Sequence, residues 1–162
     1  MKNKLVYLLL VLLVAGCQPD AHKEVGEVRN IVQSLNGTWK LTKVTQRDEE
    51  ATRKGFPFRD LDLTTVFPYS DFTLTLNTDG SGPTTYTSVQ GNAPQILKTP
   101  SGSWTVDDPT YPGVITLGAG ASGDAIRLGA YPVGAETNLS LTVQRKDGDK
   151  LVMSYIYEFS KQ

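Results

Sequence analysis

Read as apolar and polar positions, the chain changes period twice. Residues 5–15 are an unbroken apolar run with no polar face. Further on, apolar residues fall at Val25, Val28, Ile31, Val32 and Leu35. Steps of three and four are the period of a helix stripe, which predicts one short helix packed against the domain behind it. Asn36-Gly37 is its stop signal. After Gly37 the period becomes two. Trp39 and Leu41 alternate with Thr38, Lys40 and Thr42, which predicts a strand to about Thr45.

Two atypical segments come next. Residues 46–54 carry Arg47, Asp48, Glu49, Glu50, Arg53 and Lys54 and read as a solvated loop. In residues 55–69, Phe56, Phe58, Leu61, Leu63, Val66, Phe67 and Tyr69 crowd together with Pro57 and Pro68. That is too apolar for a free loop and too broken for a strand. A packed loop over one end of the domain is expected, with a turn of helix near residues 61–67.

The remainder alternates. Phe72, Leu74 and Leu76 lead into an Asp79-Gly80 turn, and residues 84–89 return as a hairpin partner. Residues 91–100 read as loop. Residues 102–106, 114–117 and 125–131 are short candidate strands. Leu139, Leu141 and Val143 form another, and Lys146 to Asp149 turn the chain. Leu151, Met153, Tyr155, Tyr157 and Phe159 then line one face of a long last strand. About eight strands with frequent turn signals predict an all-β antiparallel barrel, with a β-sandwich as the alternative.

Composition narrows the class. At 162 residues and 39% hydrophobic, the chain is one folded domain's worth of material and too apolar for a disordered chain. Lys plus Arg is 16 against 17 Asp plus Glu, and aromatics do not interleave with the basic residues, so no nucleic-acid partner is expected. One Cys rules out an internal disulfide.

That Cys completes an address. Lys2 and Lys4 precede the apolar run, which is too short to span a bilayer and has the length of a secretory core segment. The run ends Val14-Ala15-Gly16-Cys17, which resembles the lipobox of bacterial lipoproteins. The resemblance implies a signal peptide over residues 1–16 and a lipid on Cys17. A tether and helix then occupy residues 17–34, and a β domain residues 35–162. It also implies that Gln18, in place of Asp, directs the protein to the outer membrane, on its periplasmic face or the cell surface. Multiple acyl chains on one residue suffice for stable anchoring.

Gly37-Thr38-Trp39 after a short helix resembles the Gly-x-Trp opening of lipocalin-like domains. With the lipobox, the layout is similar to small Bacteroides-type lipoproteins that carry a lipocalin-like domain of unknown function. The resemblance implies that Trp39 plugs the closed end of an up-and-down barrel, with Arg127 or Arg145 on its face. It also implies that residues 55–69, between the first two strands, lie at the open mouth.

Little in the sequence suggests catalysis. His22, the only His, lies in the tether, so a Ser–His–Asp arrangement has no base in the domain. Asp107 and Asp108 are neighbours, which point apart in a strand and read as a turn before Pro109. Asp147-Gly148-Asp149 lacks the oxygen ligands of a calcium loop. Gly118, Gly120 and Gly123 are followed by no phosphate-loop Lys. No enzyme activity, metal or cofactor is expected. An eight-stranded barrel is either filled by side chains or holds one small ligand. If hollow, Tyr86, Trp104, Tyr155 and Tyr157 would line the cavity, and Phe56, Phe58 and Phe67 would form its lid. The reading is a membrane-anchored envelope lipoprotein that binds a small apolar ligand. The alternative is a structural or protein–protein interaction module.

Overall fold

The structure is a computed structural model and describes residues 30–120, 123–130 and 137–162. The expected signal peptide, Cys17, His22 and most of the stretch expected to form the first helix lie outside the described residues. What is described of that helix is α1, Ile31–Ser34, capped by the Asn30 side chain, which accepts from the Gln33 amide at 3.1 Å. Nine strands come after it: β1 Gly37–Asp48, β2 Asp60–Asp62, β3 Thr73–Asp79, β4 Gly82–Val89, β5 Ser101–Val106, β6 Val114–Leu117, β7 Asp124–Ala130, β8 Asn138–Asp147 and β9 Lys150–Lys161. Apart from β2, each pairs antiparallel with its chain neighbours. β1 also pairs with β9, from Trp39↔Lys161 to Asp48↔Met153. That pairing closes an eight-stranded barrel and excludes the sandwich. β2 is an extra strand on the edge of β1 beyond its pairing with β3.

The alternating residues supply the core. Trp39, Leu41, Leu74, Leu76, Tyr86, Trp104, Ile115, Leu117, Ile126, Leu139, Leu141 and Phe159 are all buried in one cluster. A register shift between Leu41 and Lys43 explains why the buried positions of β1 step from Leu41 to Val44 instead of to Lys43. The bulge rotates the strand by one residue, so its charged positions stay in solvent. The buried polar handles all find partners. Trp39 Nε1 donates to the Leu35 carbonyl at 2.8 Å, Trp104 Nε1 to the Asn77 carbonyl at 2.8 Å, and the Tyr86 hydroxyl lies 2.6 Å from Thr99 Oγ1.

Three details depart from the sequence expectations. The charged segment after Thr45 is ordered: β1 runs on to Asp48, whose carboxylate caps a second helix, α2 (Glu49–Arg53), at the Glu50 and Ala51 amides. In residues 55–69 the chain forms β2 before the expected turn: residues 64–68 are turn, with the Val66 amide donating to the Leu63 carbonyl at 3.0 Å, and a 3-10 turn sits at Tyr69–Asp71. That segment is strapped to β1, where the Arg47 guanidinium grips Asp60 through two hydrogen bonds of 2.7 and 2.8 Å. Only Leu63 and Tyr69 of its large apolar residues are buried, whereas Phe56, Phe58, Leu61, Val66 and Phe67 are exposed. Two anchors hold the loop, and backbone pairing with β1 makes further apolar packing unnecessary. Finally, the cation on the Trp39 face is neither Arg127 nor Arg145 but Lys161, with Nζ 5.2 Å from the ring centroid. β9 runs alongside β1 and delivers it, while Arg127 is exposed on β7 and Arg145 lies toward the other end of the barrel.

Candidate functional site

Up-and-down connectivity sorts the loops onto two ends. Trp39, α1, the β3–β4 turn and the chain's last residue mark one end, which is closed. The other end, the mouth, collects residues 49–72, the β4–β5 connection and the β8–β9 turn. Between the ends, the inward faces of β8 and β9 grade in character. Register pairs run Leu139↔Phe159, Leu141↔Tyr157, Val143↔Tyr155 and Arg145↔Met153. The wall therefore passes from aliphatic to phenolic to cationic as it approaches the mouth.

Three tyrosines gather there. Tyr69 meets Tyr157 edge-on, with centroids 6.4 Å apart. Burial pushes the Tyr157 hydroxyl well above its ordinary pKa, and the neighbouring Tyr69 and Tyr155 add to the shift. Arg145 opposes it weakly. Tyr69 is raised for the same first reason. Both phenols are thus neutral near pH 7 and can donate hydrogen bonds. The Arg145 guanidinium makes a cation–π contact with the Tyr155 ring, 5.7 Å from its centroid.

Beside this group the barrel wall opens. β7 and β8 pair only from Arg127↔Thr142 to Ala130↔Ser140. Toward the mouth, Asp124 to Ile126 pair with β6 alone, and Val143 to Asp147 with β9 alone. The β4–β5 connection dips into the resulting seam. Ala93 and Leu97 are buried, and Ile96 packs against the core. The Lys98 amide donates to Asp124 Oδ2 at 2.7 Å, and its ammonium lies 3.5 Å from Asp124 Oδ1. Between this segment and β8 lies an open cleft of about 380 Å³, with Ile96, Leu97 and Lys98 on one side and Val143, Gln144 and Arg145 on the other. That volume lies within the range of small-molecule sites, roughly 300–1,000 Å³.

The residues predicted for a cavity are not brought together. Tyr86 and Trp104 are fully buried and fill the core below the cleft. Tyr155 and Tyr157 stand at the mouth beside Arg145. Phe56, Phe58 and Phe67 belong to the mouth loop on the β1 side, with Phe58 95% exposed, and none of them lines the cleft. Gly37 and Trp39 sit at the closed end. Gly37 has φ +128°, and a Cβ there would stand 2.7 Å from Lys161 Cε, so the Gly of Gly-x-Trp makes room for the cation that covers the Trp. Cys17 lies outside the described residues. Sequence reasoning misses the cleft residues Ile96, Lys98, Asp124, Val143 and Arg145 as ligand-binding positions. One signal for Arg145 exists: it continues the Leu139, Leu141, Val143 alternation by one more step.

The family described as "Domain of unknown function (DUF5004)" matches residues 18–161. None of the curated proteins matches the chain.

Proposed function

The chain belongs to the DUF5004 family, whose description states no activity, and from that premise we propose a non-catalytic binding protein anchored in the cell envelope by a lipid on Cys17. Its lipocalin-like barrel holds a small, largely apolar ligand at the mouth. The observation that carries this reading is the cleft of about 380 Å³ at the seam, walled by Ile96, Leu97 and Val143 above a filled core. The anchor rests on the order of positive start, apolar run and Val14-Ala15-Gly16-Cys17. It makes this a Bacteroides-type outer-membrane lipoprotein in layout.

Two experiments test the two halves. Cys17→Ser should leave the precursor uncleaved and unlipidated in membrane fractionation; a mature acylated mutant would refute the address. Mass spectrometry of small molecules that co-purify with the native protein should find a bound ligand, which Val143→Trp, filling the cleft, displaces. A second reading, an interaction module, is favoured by one observation: Phe56, Phe58, Leu61, Val66 and Phe67 form an exposed apolar surface beside the mouth. A native protein that carries no small molecule would favour that reading.

A further inference from the structure

We infer that the mouth cleft takes a small organic anion, its carboxylate on Arg145 and its apolar body against Ile96, Leu97 and Val143. The inference rests on the ligand-binding reading of this same mouth. Its first ground is direction. Arg145 comes after Leu139, Leu141 and Val143 on the inward face of β8 and lines the cleft. Arg145 is solvent-exposed at the rim, and strand alternation places it on the cleft side of the wall.

The second ground is charge balance. Among the described residues, Lys43, Arg47, Lys54, Lys98 and Lys150 each reach a carboxylate within 3.5 Å. Arg145 reaches none, and neither do Lys40, Arg53, Arg59, Arg127, Lys146 and Lys161; of these, Arg145 is the one that lines the cleft, 5.7 Å from the Tyr155 ring. The one acid lining the cleft, Asp124, is already engaged by the amide and ammonium of Lys98. The cleft therefore keeps one uncompensated positive charge, in a chain whose net charge is −1.

The third ground is geometry. Arg145 lies within cation–π reach of Tyr155, at 5.7 Å, and a planar fork is suited to grip a carboxylate with two hydrogen bonds. Size limits the ligand: about 380 Å³ is near the lower bound for small-molecule sites, which suits a compact aromatic or short aliphatic carboxylate.

The test uses the full chain in lipid nanodiscs, with empty discs subtracted, titrated with 2-naphthoate and its uncharged analogue 2-naphthamide. Naphthoate should bind at least tenfold more tightly than naphthamide. Arg145→Gln should weaken naphthoate at least tenfold and leave naphthamide unchanged, and Arg145→Lys should recover only part of the loss because Lys lacks the fork. Arg127→Gln, on the outer face of β7, should change neither. If Arg145→Gln leaves naphthoate unchanged, or Arg127→Gln weakens it equally, the anion inference is overturned, while binding of either probe that Val143→Trp blocks would keep the ligand reading. If neither probe binds the wild-type protein, both fall.

Discussion

At the scale of single residues, Trp39 combines three kinds of contact. It is fully buried, its indole donates to the Leu35 carbonyl, and Lys161 covers its ring. Trp39→Ala should cost about 3–5 kcal/mol, the range for a large buried aromatic. Lys161→Gln should cost only about 0.5–1 kcal/mol, because a cation near solvent gains little from a ring. Urea unfolding of both variants checks the contrast. Two carboxylates predict the acid limb of stability. Asp107 Oδ1 accepts from the amides of Asp108, Gly113 and Val114, and the Val114 bond does most to hold its pKa below the usual carboxylate value. Glu50 is drawn from 4.5 down to about 2, first by its hydrogen bond from Lys150 and then by that from Lys54. For groups lowered on folding, the stabilising contribution is present above the unfolded pKa and lost as pH falls through the folded one. Glu50→Gln should therefore flatten stability between about pH 4.5 and about pH 2, and the same small contribution, screened because the pairs are exposed, should be missing at pH 7. Thermal midpoints measured across that window decide it. Asp107→Asn should also lose acid sensitivity and should loosen residues 107–114 at neutral pH, where the ionised carboxylate is the stronger acceptor, with the difference fading once acid protonates Asp107.

Among the elements, the mouth loop separates what sequence pattern reveals from what it conceals. Its apolar density is plain in the sequence, and so is its position between the first long strands. Which apolar residues are buried is not, because burial here comes from backbone pairing with β1. The Leu63 amide donates to the Val44 carbonyl at 2.9 Å, and the Val44 amide in turn donates to Thr64 Oγ1 at 3.1 Å. Those long-range bonds turn Leu63 inward and leave Phe58 out. Leu63→Ala should cost about 2–5 kcal/mol, whereas Phe58→Ala should stay within about 0.5 kcal/mol of wild type. Chemical denaturation of the pair tests whether the loop hangs on its two anchors. The second helix is concealed for a different reason. Asp48 followed by Glu49 and Glu50 is a helix start, but α2 has no apolar stripe of its own and its few residues read as a charge run. It forms because tertiary partners hold it: the Ser154 hydroxyl donates to Glu49, and Lys150 pairs with Glu50 at 2.7 Å. Asp48→Ala should cost about 1 kcal/mol through the lost cap. The barrel strands are legible because they expose one face and bury the other, so alternation survives even through Val114–Leu117, whereas β2 is exposed at all three positions and has no such pattern.

For the whole molecule, strand alternation makes the barrel legible but leaves the cleft unseen. Alternation reports which face is buried, and it is silent on where two adjacent strands part. β7 and β8 separate above Arg127 and Thr142, though both continue as strands with their other neighbours. Nothing in either segment's pattern marks that point, since each half of the seam keeps one intact ladder. The separation has a measurable consequence. Backbone amides in closed ladders exchange only through larger openings, whereas an edge exchanges through small ones. The β1–β9 and β8–β9 ladders run almost the full length of their strands, so their amides should be the slowest to exchange. Amides of Val143 to Asp147 that face the seam should exchange faster than amides of Leu139 to Leu141 that face β7, although both stretches belong to one strand. Residue-resolved hydrogen exchange with bound and free naphthoate reads both the opening and its occupant. Equal protection along β8 in the free protein would mean the wall is closed and the cleft is not a persistent feature. Faster exchange at the seam that slows on adding naphthoate, and does not slow in Arg145→Gln, would place the ligand where the strands part and tie its ordering to that one side chain.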